Sequence, residues 1–167
     1  MHGDGETPGS EVTLLKAATA LIASAEPEDV AGVLTAVRDG LIAARRCGLV
    51  VATDRRWRSR QRNAEAVEYT LAEQLVRAPA LFRHEIVLAD PPDVTERLSG
   101  RAADTAVHTI SAFSRAAEQA LRAAAEHAPA WGDRSVCRHC TALAREFREA
   151  WNGEHPTYSH QPPQEQK

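Results

Sequence analysis

The chain has 167 residues, 43% of them hydrophobic, which is long enough for one buried core and short for two. Aromatic residues make up only 5% while Ala, Leu, Val and Ile recur throughout, a composition that favours stacked helices over a β-sheet core. The 20 Lys+Arg against 23 Asp+Glu leave a formal charge of -3, so the surface as a whole is no nucleic-acid footprint and any such footprint must be local.

Residues 1–10 show no periodicity and read as a flexible N-terminus. Leu14, Leu15, Ala18, Leu21, Ile22 and Ala25 then fall on one helical face, predicting a first helix over 11–25. Pro27, followed by Glu28 and Asp29, suits the first turn of a second helix, whose stripe is Val30, Val33, Leu34, Val37, Leu41 and Ala44. Gly48 offers a stop for it, although Leu49, Val50 and Val51 could carry it further. Trp57, Ala64, Val67, Leu71 and Leu75 mark a third helix that ends at Ala78 before Pro79. The segment 80–89 has helical spacing at Leu81, Phe82, Glu85 and Ile86 and is read as a short helix.

Asp90 ahead of Pro91 and Pro92 opens the longest predicted helix, over 92–127, with Gly100 as a weak point. Its apolar face carries Val94, Leu98, Val107, Ile110, Phe113, Ala117, Leu121 and Ala124; the opposite stripe, from Asp104 and His108 to Glu118 and Arg122, is polar. Asp133 or Ser135 can cap a last helix with Cys140, Leu143, Ala144, Phe147 and Trp151 inward, closed by Asn152 and Gly153. Residues 153–167 read as a flexible tail.

No apolar run approaches the roughly 18 to 20 residues of a membrane span, and the opening residues lack the basic and apolar regions of a secretory leader. The expectation is a cytoplasmic protein without membrane contact, in which cysteines are reduced thiols or metal ligands. Cys137 and Cys140, followed after fourteen residues by His155 and His160, give C-x2-C and H-x4-H, inside the window for a four-ligand zinc site. The stretch between them reads as helix from Cys140 onward, where an ordinary finger has a hairpin, and Pro156 separates the two histidines. Cys137, Cys140, Ala144, Phe147 and Trp151 also share one face, so both thiols fit an apolar core equally well. The same CRHC has the spacing of a redox-active dithiol, but no strand precedes it.

A second signal is the run of Arg55, Arg56, Trp57, Arg58, Arg60 and Arg62. On a helix Arg55, Arg58 and Arg62 share the face opposite Trp57, a basic ridge beside an aromatic anchor. Cations at a helix start are unfavourable by about 0.3–1 kcal/mol each, so such a ridge implies an anionic partner unless the arginines are only a solvated face. No glycine-rich phosphate loop, nucleophile elbow or Glu-x-x-His pair is present.

Together these patterns predict an all-α, single-domain bundle of five or six helices over 11–152. The function expected is that of a small cytoplasmic binding or regulatory protein. It would have a structural zinc at Cys137, Cys140, His155 and His160, and would meet nucleic acid or an acidic protein through Arg55, Arg56, Arg58 and Arg62. The competing reading is an enzyme or accessory protein acting on a small molecule between the helices, near His84, Glu85 or His108. A third is a homodimer that completes apolar stripes left uncovered in one chain.

Overall fold

The computed structural model describes residues 10–81 and 97–154, and among them it holds five α-helices and no strand. The helices are α1 (Ser10–Ser24), α2 (Val30–Val51), α3 (Arg58–Leu75), α4 (Gly100–His127) and α5 (Trp131–Trp151), with single 3-10 turns at Arg55–Trp57 and Pro79–Leu81. The expected flexible termini, most of the expected helix over 80–89 and the expected helix start at Pro92 lie outside the described residues.

Local chemistry sets the ends. Asp29 is the N-cap of α2, its carboxylate accepting from the Gly32 amide at 3.0 Å, so Pro27 precedes the helix and does not open it. Gly48 does not stop α2, which runs on to Val51, with Val50 and Val51 wholly buried. The expected continuous helix over 92–127 is interrupted: residues 97–99 are not helical, and α4 begins at Gly100, whose φ of +57° only glycine adopts without strain. The start of α5 lies two residues before Asp133, at Trp131, with no side-chain cap. Asp133 instead accepts from the Ala80 amide at 3.0 Å, tying the Pro79 turn to α5. At the far end Gly153 (φ +74°) and the bond from the Glu154 amide to the Glu149 carbonyl (2.9 Å) form a left-handed stop.

The apolar stripes meet in one core. α4 lies along α5, α3 against α5, and α1 and α2 against α4. Val107, Ile110, Phe113, Ala117, Leu121 and Ala124 of α4 are buried as their spacing requires. Phe113 meets Phe147 of α5 edge to face at 6.1 Å, an arrangement that contributes about 0.5–1.5 kcal/mol beyond burial. The stripe of α4 that reads as polar is half buried: Ser111 and Glu118 face α5, and Ser114 donates to the Ala144 carbonyl. Glu118 accepts from Arg145 (3.0 Å), Arg148 (2.7 Å) and Arg122 (3.1 Å), fastening α4 to α5. Burial pushes its carboxyl up, but the hydrogen bonds and charges of Arg148 and Arg145 hold it below the ordinary range. Glu11 is bound in the same manner by Arg46 at 2.9 Å, which sets α1 against α2 in antiparallel register.

Two glycines let α2 approach its neighbours. A Cβ on Gly40 would stand 2.6 Å from Phe113 and 3.0 Å from the Ile22 methyl, and one on Gly48 would stand 2.7 Å from the Trp151 ring. For Gly40→Ala, about 1 kcal/mol of helix propensity is gained while overpacking a filled core costs about 1–3 kcal/mol. Chemical denaturation should therefore show Gly40→Ala less stable than the parent; a more stable variant would mean that α2 and α4 do not approach this closely.

Candidate functional site

The two ends of the bundle differ in charge. At one end lie the starts of α3 and α4 and the end of α5. Ala52, Thr53 and Asp54 separate α2 from α3, so the arginines do stand at a helix start. Asp54 offsets part of that cost by accepting from the Arg56 amide at 3.1 Å. Trp57 is buried as the stripe requires, with the guanidiniums of Arg56 and Arg60 over its ring at 4.9 and 4.8 Å. Arg60 also donates to the Trp151 carbonyl at 3.3 Å, joining α3 to the end of α5.

Of the four ridge residues, Arg56 is committed to Asp104 of α4 at 2.6 Å, and Arg58 donates through Nε to the Ala52 carbonyl at 3.3 Å. The side chains of Arg55 and Arg62 are exposed and have no hydrogen-bond or ion-pair partner among the described residues. The Arg56–Asp104 contact, together with a bond from Thr53 to the Leu98 carbonyl (3.4 Å), brings the head of α4 beside the ridge. With it come Arg97 and Arg101, both exposed and likewise uncommitted. The first turn of α4 holds no acidic residue and Ser99 makes no side-chain cap, so the positive end of that helix adds to the same surface. Sequence reasoning missed Arg97 and Arg101 because only the tertiary approach of α4 to the Arg55–Trp57 turn makes them neighbours of the ridge.

Comparison with protein-family models, with curated proteins and with solved structures finds no match to this chain. Its own geometry therefore carries the reading.

Cys137 and Cys140 lie on the inward face of α5, wholly buried. Burial pushes their thiols up to about 11 and about 12, with Asp133 adding to the first and Cys137 to the second. His155 and His160 lie outside the described residues, and among those described no three His, Cys, Asp or Glu side chains group as metal ligands. Of the residues linked to a small-molecule site, His84 and Glu85 lie outside the described residues and His108 is exposed.

The buried face of α3 contains a charge that the apolar pattern did not reveal. Glu68, next to Val67, which is itself packed against the core, lies with Trp57, Gln61, Ala64, Leu71 and Leu75 on the inward face and is 5% exposed. Its Oε2 and the Nε of Arg45 on α2 are buried without a hydrogen-bond partner. Arg45 lies over the Tyr69 ring and donates to its hydroxyl at 3.0 Å. Burial raises the Glu68 carboxyl to about 8, the Arg45 charge lowering it and Glu65 raising it again, so it is mostly protonated at neutral pH. Helical spacing from Ala64 to Leu71 could have found Glu68, because residue 68 shares their face.

Two outcomes follow from these environments. The folded Glu68 carboxyl titrates near 8 against an ordinary 4.5. The folded state therefore holds the extra proton, and stability should fall as pH rises through that window. Denaturation from pH 5 to 9 should show this decline, and Glu68→Gln should flatten it; equal slopes in the two proteins would remove Glu68 as its cause. Cys137 and Cys140, buried and protonated, should react with a thiol reagent far more slowly in the native chain than in denaturant, with the Cys137→Ser and Cys140→Ser variants assigning each signal. Fast native labelling of either would show that its helix face is open.

Proposed function

We propose that the chain is a helical binding protein that engages the phosphate backbone of a nucleic acid through Arg55, Arg58 and Arg62, with Arg97 and Arg101 extending the contact. The observation that carries this reading is the set of exposed guanidiniums of Arg55, Arg58 and Arg62 at the start of α3, beside Arg97 and Arg101 at the head of α4, in a chain whose formal charge is -3. Cations gathered at helix starts against their own dipoles are unfavourable until an anion meets them. Guanidinium is also the side chain best matched to phosphate, which it can bind through two parallel hydrogen bonds.

A nucleic-acid backbone suits this surface better than an acidic protein does. Protein interfaces draw their affinity from apolar or aromatic anchors in a desolvated centre. The exposed large apolar residues among those described are Leu14, Leu21, Ile42, Tyr69 and Trp131, none of them in the 53–62 segment or at the head of α4. Trp57, the aromatic of the ridge, is covered. Backbone binding needs only charge and geometry, which this surface has.

Anisotropy titrations with labelled duplex DNA, duplex RNA and a polyglutamate chain test the reading over a salt series. Binding to a nucleic acid should weaken as salt rises, and Arg55→Ala, Arg58→Ala and Arg62→Ala together should lower the slope of log affinity against log salt by about 3. Affinity that ignores both salt and the three substitutions would overturn the reading, and tighter binding to polyglutamate would replace it with an acidic protein partner.

A further inference from the structure

At the other end of the bundle the surface is apolar with an acidic rim. The helix α1 carries only two charges in its 15 residues, and Glu11 is turned inward to Arg46. Its outer face leaves Leu14 at 55% and Leu21 at 66% exposure, and Ile42 of α2 is 37% exposed. The Glu11–Arg46 pair holds the two helices antiparallel, and Leu21 and Ala25 face Ala31 and Ala36 across the gap between them. Between the helices runs an open groove of about 480 Å³, lined by Leu21, Ala25, Ala31 and Ala36 and bordered by Glu26, Asp29 and Asp39.

We propose that this groove between α1 and α2 docks an amphipathic helix of a protein partner, with apolar anchors inward and basic residues on its flanks. Along α2 the lining of the groove runs from Ala31 to Asp39, about 12 Å at 1.5 Å per residue, a little over two turns of a helix. That length presents anchors at i, i+3 or i+4, and i+7, the pattern by which grooves recognise helices.

The charge decides the occupant. All three rim residues are carboxylates, and among the described residues neither the Glu26 nor the Asp39 side chain has a hydrogen-bond or ion-pair partner. Asp29 uses its carboxylate to cap α2. No basic residue lines the groove. A second copy seated by two-fold symmetry would bring these acids toward their own equivalents, an arrangement that costs energy, whereas lysines or arginines on a partner helix would complement them. This surface is separate from the arginine ridge, and neither proposal rests on the other.

The probe is a fluorescein-labelled synthetic helix of about four turns with leucines at i, i+4 and i+7 and lysines flanking them. A second peptide has glutamates in place of the lysines. Anisotropy titration with the full chain should show the lysine peptide bound about tenfold more tightly than the glutamate peptide, with binding weakened as salt rises. Leu21→Ser, a surface change checked by unaltered helical circular dichroism, should weaken the lysine peptide by about tenfold or more. Glu26→Gln with Asp39→Asn should remove most of the preference for the lysine peptide. The proposal is overturned if neither peptide binds, if both bind alike, or if Leu21→Ser leaves the affinity unchanged. Sedimentation showing a dimer that Leu21→Ser dissolves would also overturn it, assigning the groove to a second copy.

Discussion

The close approach of α2 to α4, with the Trp151 ring of α5 reaching over Gly48, is the constraint on which the remaining arrangement depends. Gly40 and Gly48 stand where any Cβ would enter the rings of Phe113 and Trp151, so α2 has no side chain at its two crossing points. With α2 drawn in, Val37, Leu41, Ala44 and Cys47 lie against the central pair α4 and α5 and become wholly or almost wholly buried. Glu118 then holds α4 to α5 through Arg145 and Arg148, with Arg122 of its own helix as a third partner. Dispersion and burial supply the cohesion; the carboxylate sets the register of the two helices.

Both candidate surfaces descend from this packing. Trp151, seated over Gly48, ends α5 where its carbonyl receives Arg60, and that bond anchors the head of α3. The anchoring turns Arg55, Arg58 and Arg62 outward, and Arg56 spans to Asp104 so that Arg97 and Arg101 join them. On the other side of α2, α1 is held by Glu11 to Arg46 at one end and by the short turn before Asp29 at the other. A helix of alanines and leucines held in that position buries Leu15 and Ile22 and leaves Leu14 and Leu21 outward. The basic end and the acidic, apolar groove are thus two consequences of one core.

Much of the fold was legible because apolar residues return at the helical period over long stretches, and a period of that kind is a direct readout of which face is buried. The stripe of α4 from Val107 onward was read correctly, and the first, second and last helices were read within a few residues of their observed bounds. Four kinds of feature were not legible. Gly100 looked like a weak point inside a helix because glycine's two uses, tolerated interior residue and left-handed start, look alike in a sequence. Asp133 and Glu118 read as a cap and a surface charge because their partners, the Ala80 amide and the arginines of α5, are distant or on another element. The arginine ridge was visible as a run, but its extension by Arg97 and Arg101 exists only once α4 is placed. The buried Glu68 broke the apolar pattern, which counts hydrophobic residues and passes over a charge on the same face.

A double-mutant cycle between Gly48 and Trp151 tests the central claim most directly, since it asks whether the missing Cβ and the indole occupy the same space. Gly48→Ala should destabilise the parent chain by about 1–3 kcal/mol and should be close to neutral when Trp151→Phe has already removed the outer ring. The account predicts a coupling of at least about 1 kcal/mol between the two substitutions. Strictly additive effects would contradict it, because α2 would then not be seated on α5 through this contact.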